Sequence, residues 1–341
     1  MNKTILKSFE NEKNNIPIWF LRQSGRHIPE YFKIRSKAKN FIDFCLNKDL
    51  IIESTKLPLK YYDLDAAIIF SDILMIPWAM KRDLDFVKEQ GPVLTPMIPN
   101  ETKIEKKIDI FQSLKPIEDA IHVLREDLPK NVSLIGFAGA PWTLSCYMIE
   151  GKGSKDFINT RTAIWSSNKW FMDLIDTLIN YVAEKLELQA RAGADVLMIF
   201  DSWSHMIPNH FFNELGIKPI AKIIEILRSK NVLQPIIGFP FKAGTSLIQY
   251  SYESNVDCIA LDWSVDLEWA LKNLNSSIVF QGNLDPAALI PENNKYLEET
   301  VLSILNKMRN RKLIFNVGHG LTPNCKIDNV RDVINIVRNF K

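Results

Sequence analysis

Eight short apolar runs constrain what this chain can fold into. They occupy residues 18–21, 66–70, 132–137, 196–200, 235–239, 256–261, 278–280 and 313–317. Their hydrophobicity is continuous rather than alternating, as expected of parallel strands buried on both faces. Helical patterns lie between them. Phe171, Leu174, Ile175, Leu178, Ile179 and Val182 follow the i, i+3, i+4 rule, in a helix that should stop near Gly193. Ile327, Val330, Val333, Ile334 and Val337 give the last helix the same stripe. No Gly/Ser linker or charge block interrupts the alternation. The chain, 1–341, therefore reads as a single α/β domain, a (β/α)8 TIM-type barrel with its active-site cleft at the C-terminal ends of the strands. An open doubly wound sheet alternates in the same way, and spacing does not separate the two.

Composition narrows the function classes. Hydrophobic content of 46% and charged content of 24% are those of a soluble globular protein. Net charge is only +2, from 42 basic and 40 acidic residues, so no general attraction to nucleic acid or to a membrane surface is expected. Any anion binding must be local. The four cysteines, Cys45, Cys146, Cys258 and Cys325, form no CxxC or Cys/His cluster. This argues for a reducing compartment, the cytoplasm, and against a structural zinc. Residues 1–15 lack the apolar core of a signal peptide. The uncharged run 131–149 is long enough to raise the question of a membrane helix. Gly136, Gly139, Pro141, Thr143 and Ser145 should break it into a strand and a loop instead.

In a barrel, chemistry sits just after the strands. Arg22 follows the first run, Ser71 and Asp72 the second, Gly139-Ala-Pro-Trp142 the third, and Asp201-Ser202 the fourth. Lys242, Asp262-Trp263, Asn283 with Asp285, and Gly318-His319-Gly320 follow the remaining four. Polar groups at so many strand ends predict one lined cavity. Arg22, Arg26 and Arg35 fall within one short stretch, which Gly25 and Pro29 should hold out of regular helix. Guanidinium groups beside a buried strand need an anion, and arginine grips carboxylates with a planar fork. Asp72 stands between two apolar runs, with no basic neighbour until Lys81. Such a carboxylate is either satisfied by buried donors or waits for a cationic or N–H-rich ligand. His319, between two glycines, is open to close approach by backbone or ligand, whereas Tyr147 reads as a core aromatic.

Familiar catalytic signatures are missing. The chain has no GxSxG, HExxH, GxGxxG or Walker loop, and Gly151-Lys-Gly-Ser154 reads as a flexible turn. The pairs Asp63/Asp65 and Asp83/Asp85 lie beside Lys and Arg and read as solvated faces or caps.

Six ordered motifs carry a resemblance. Arg22-Gln-Ser-Gly-Arg26 with Pro29-Glu30, Ile69-Phe-Ser-Asp72-Ile-Leu, and Gly136-Phe-Ala-Gly-Ala-Pro-Trp-Thr-Leu144 are similar to those of the uroporphyrinogen decarboxylase family. Phe200-Asp-Ser202, Gly282-Asn-Leu-Asp-Pro286 and Phe315-Asn-Val-Gly-His-Gly-Leu321 extend the likeness over nearly the whole chain. Ser24 and His27 depart from the Ala and Tyr usual in the arginine motif. The resemblance implies a single-domain (β/α)8 barrel, a homodimer, that removes four carboxyl groups from uroporphyrinogen III in haem and tetrapyrrole synthesis. It implies no cofactor and no metal. Arg22, Gln23, Ser24, Gly25, Arg26, Asp72, Tyr147, Ser202 and His319 fall at the family's substrate positions, and Arg35 matches an arginine that faces the cleft. Catalysis would then rest on Asp72, Arg22, Tyr147 and His319. Corrinoid-linked methyltransferases look similar, but they activate a thiol on zinc through a His-x-Cys pair and a later Cys. The corresponding stretch here, residues 237–244, has neither His nor Cys. A non-catalytic carboxylate-binding protein would have no need of Asp72.

Overall fold

The computed structural model describes residues 3–10, 16–87, 89–166 and 168–340. Seven parallel strands form one curled sheet. In spatial order they are β1 (Ala66–Ile68), β4 (Ser133–Gly139), β5 (Val196–Asp201), β6 (Ile236–Pro240), β7 (Cys258–Ala260), β8 (Val279–Leu284) and β9 (Leu313–Val317). Sequence order is spatial order, as helix-connected parallel strands dictate. Two further strands, β2 (Asp85–Val87) and β3 (Gly91–Val93), make a separate antiparallel hairpin. Every residue of β4, β5, β6, β8 and β9 is buried, which explains why these strands read as unbroken apolar runs.

The first run departs from expectation. Residues 18–21 form no strand, and only Ile18 makes a parallel bridge, to Phe315. Proline at position 17 offers no N–H, and the Ile18 N–H is taken by the Asp65 carboxylate at 2.7 Å rather than by a neighbouring strand. The segment is still stitched to both sheet edges. Pro17 accepts from Phe315 N–H at 2.8 Å on the β9 side, and Ile18 accepts from Asp65 N–H at 2.9 Å on the β1 side.

Three other expectations change. Pro141 does not open a loop: it occupies the first turn of the helix Pro141–Glu150, where its missing N–H costs nothing, and Gly151 ends that helix at φ +73°. Pro29 likewise starts the helix Pro29–Arg35, so Arg35 is helical. Asp65 is not solvated. It is buried and receives Arg338 Nη1 at 2.8 Å as well as the Ile18 N–H. Asp63, Asp83 and Asp85 are exposed, as expected. The long helix Asn168–Ala192 and the last helix Ile327–Asn339 bury the stripes described above.

Candidate active site

The arginine turn is built by its neighbours. Arg22 has φ +58°, a left-handed conformation uncommon outside glycine, so the surrounding structure must impose it. Leu21 donates its N–H to Asn316 Oδ1 at 3.0 Å and accepts from Leu321 N–H at 2.9 Å. Gln23 is fully buried. Its Oε1 accepts from Phe20 N–H at 3.2 Å and its Nε2 donates to Ala66 O at 3.1 Å, so its side chain braces the turn from inside. Gly320 completes the seat: a Cβ there would come within 2.3 Å of Arg22 Cδ, so the arginine stem lies directly on glycine backbone.

Arg22 and Arg26 are exposed, and Ser24 is half-buried with its Oγ unpartnered. Arg35 ends its helix with Nη1 3.3 Å from Ala38 O, its guanidinium 5.8 and 5.6 Å from the rings of Phe41 and Phe44. Among the described residues none of these three arginines pairs with a carboxylate. Fixed positive charge is thus left available for a ligand.

Asp72 follows β1. It is half-buried, and its Oδ1 accepts the Leu74 N–H at 2.8 Å. Burial pushes its carboxyl pKa up, while the Leu74 N–H and the positive charges of Lys185 and Arg22 pull it back. Lys185 is the residue that sequence reasoning missed. It is fully buried in the helix Asn168–Ala192, with Nζ 3.1 Å from the main-chain oxygen of Asp72. The signal was present: Leu178, Val182, Lys185 and Gln189 continue the apolar stripe at i, i+4, i+7 and i+11, which places a lysine on the inward face.

Two further groups feel the same charges. Tyr147, half-buried on the helix Pro141–Glu150, has its ring 6.0 Å from Trp203. Burial raises its phenol to about 12; Asp72 adds to the rise and Arg22 opposes it. His319 sits among Phe241 at 4.7 Å, Phe239 and Trp263, and burial, then Arg22, lowers its imidazole to about 4. Gly318 makes the opposite close approach, since a Cβ there would meet Trp263 N at 2.2 Å. Lys242, at φ +57°, donates its N–H to Asp262 at 3.0 Å, and its Nζ lies 5.0 Å from the Trp263 ring.

The field of Arg22 therefore acts on Asp72, Tyr147 and His319 together. Arg26 and Arg35 stand on the flank, where both act on Tyr31. Ser202 is half-buried directly after Asp201 at the end of β5. Two surface clefts, one around Met172, Glu214 and Lys222 and one around Glu292 and Asp332, share no residue with this group. Among the described residues no three His, Cys, Asp or Glu side chains stand where they could hold a metal ion. No helix among them is long and apolar enough to cross a membrane.

The chain matches the family model "Uroporphyrinogen decarboxylase (URO-D)" over residues 1–340. The chain belongs to the uroporphyrinogen decarboxylase family. It is 40% identical to the uroporphyrinogen decarboxylase of Brucella canis over 342 residues, covering 100% of both chains. Against the enzyme of that name from Maricaulis maris it is 40% identical over 323 residues, 94% of this chain and 93% of that one. Among solved structures, a methyltransferase from Methanosarcina mazei superposes with a TM-score of 0.80 at 14% identity, over 98% of this chain and 97% of that one. That likeness shows a shared TIM-barrel-like fold, with both family and structure agreeing on it.

Proposed function

We propose that this carboxy-lyase converts the four acetate side chains of uroporphyrinogen III to methyl groups, giving coproporphyrinogen III and carbon dioxide in haem and tetrapyrrole synthesis. The observation that carries the reading is that Arg22, which pairs with no carboxylate among the described residues, acts electrostatically on half-buried Asp72. A substrate with eight carboxylates needs fixed cations, and a porphyrinogen with four inward pyrrole N–H groups needs a central acceptor. Arg22, Arg26 and Arg35 serve the first need and Asp72 the second. Decarboxylation requires an electron sink, and protonating the pyrrole carbon beside an acetate provides one. A carboxylate ~4 Å from the resulting cation contributes roughly 4 kcal/mol at an effective dielectric near 20. That is on the order of a thousandfold in rate.

The remaining groups take narrower roles in this reading. With its imidazole held near 4, His319 is neutral at pH 7, and Tyr147 keeps its proton. Both then act as neutral donors to substrate carboxylates, joined by Ser202 and Ser24, while Gln23 and Gly25 shape the turn. The 17–21 segment, bonded to both sheet edges, is read as the eighth stave of a closed (β/α)8 barrel formed by the chain as one domain. The enzyme is read as a cytoplasmic homodimer; the free thiols of the four buried cysteines support a reducing compartment. Coproporphyrinogen should form from uroporphyrinogen with no cofactor added and in excess chelator. One tightly bound zinc per chain, with activity lost on its removal, would instead favour a thiol methyltransferase.

A further inference from the structure

A buried lysine is costly unless its ammonium is satisfied. Lys185 has no exposed surface, and among the described residues its single hydrogen bond is the one to the Asp72 main-chain oxygen, at 3.1 Å. Its Nζ lies 5.3 Å from the centre of the Phe137 ring, a second, weaker stabilisation of the cation. Among the described residues it forms no ion pair within 4.0 Å of any carboxylate. Lys185 shares its buried stripe with apolar Leu178 and Val182 and with Gln189, whose amide is hydrogen-bonded to Phe137 O at 3.1 Å.

We propose that Lys185 is a positioning residue for Asp72: its buried ammonium clamps the main-chain turn that presents the carboxylate and sets a positive charge behind it. The clamp is geometric. The Asp72 oxygen that receives Nζ also accepts the Met75 N–H at 3.4 Å, while the carboxylate takes the Leu74 N–H. Three donors from two elements thus fix one residue. The field acts on the carboxylate without touching it, so Lys185 takes neither oxygen; Oδ1 holds the Leu74 N–H and Oδ2 is left to face a ligand. Four charged or titratable groups surround Asp72: Lys185, Arg22, Tyr147 and Cys45, the last on the helix Phe41–Leu46. Only Lys185 and Arg22 are cations. Arg22 is exposed, so substrate carboxylates neutralise it on binding, whereas Lys185 remains charged behind the site.

Burial lowers the Lys185 ammonium to about 8, with Asp72 and Cys45 opposing. The sign follows directly. Below about pH 8 the cation is present and holds the Asp72 pKa down; above it the clamp loses its charge. This inference rests on Asp72 being the reacting carboxylate, and the test separates the two claims. Lys185→Met keeps the length of the stem, and exchanging a buried charge for a hydrophobe of similar volume is often neutral for stability. Lys185→Gln keeps a donor without charge.

The Asp72 carboxyl should be titrated by carbon NMR in substrate-free protein, assigned by the signal lost in Asp72→Asn. Its midpoint should rise by about one unit or more in both Lys185 variants, the shift expected on losing a nearby opposite charge. The acid limb of kcat should move up equally. An Asp72 midpoint unchanged in both variants overturns the inference, whatever happens to activity. A shifted midpoint with an unmoved kcat profile upholds the field but overturns Asp72 as the reacting group.

Discussion

The two ends of the sheet use the same residue type in opposite ways. Before β1, β5 and β7 stand Asp65, Asp195 and Asp257. Each accepts a main-chain N–H from a neighbouring chain segment, Ile18, Leu134 and Ile236 respectively. Each also meets a cation: Arg338; Lys3 with Arg125; and Arg228. At or just beyond the C-terminal ends of the same three strands stand Asp72, Asp201 and Asp262, and none of these forms an ion pair among the described residues. Asp201 is pushed up to about 7 by burial, with the Thr143 hydroxyl at 2.6 Å opposing the rise. Among the described residues Arg22, Arg26 and Lys242, the cations just after the strands, likewise form no ion pair. Charge is fully spent on the structure at one end and left over at the other. Pairing state, not residue type, separates carboxylates that hold the barrel-like sheet together from carboxylates available to a ligand.

That contrast breaks most visibly at Asp72. Asp72→Asn should lower kcat by roughly two to three orders of magnitude, the range for losing one preorganised electrostatic group, because the charge matters most once the ring is protonated. Its Tm should stay within a few degrees of the parent protein. A kcat near normal with only KM raised would make Asp72 a binding group and sink the electron-sink argument. The opposite end should give the mirror result. Asp195→Asn strands Lys3, whose side chain is 3% exposed, and should cost about 3 kcal/mol of unfolding free energy in a denaturant titration. The kcat of the folded fraction should hold. A smaller effect sharpens the comparison. Arg26→Lys keeps the charge but loses the fork, and should weaken substrate binding by about 1–3 kcal/mol without lowering Tm. Unchanged kinetics would mean that Arg26 is merely solvated.

Much of this was legible in the sequence, where local order was enough. Strands β4, β5 and β9 are dense apolar runs that only a doubly covered sheet can hide, and Leu313–Val317 coincides with its run. The helix that ends at Ala192 stops where Gly193 was expected to stop it. What stayed hidden depends on partners far along the chain. Asp65 reads as a solvated cap because Arg338, which buries it, lies 273 residues away. Residues 18–21 read as a strand because nothing local says that Asp65 will take the Ile18 N–H. Pro141 reads as a break because a proline stops a helix everywhere but in its first turn. Lys185 is missed when the stripe is followed only as far as Val182.

The arginine turn has one consequence for how the molecule comes into being. Leu21 is pinned by Asn316, 295 residues later, and the stem of Arg22 rests on Gly320. A chain leaves the ribosome from its N-terminus. When translation has passed β8, every arginine of the turn has emerged, yet nothing exists to force Arg22 into its left-handed conformation. The nascent chain therefore carries the arginine turn without its braces for most of its synthesis. Closing so long a loop is what slows folding in proteins rich in distant contacts. The turn takes its shape only with the arrival of β9 and the glycines behind it.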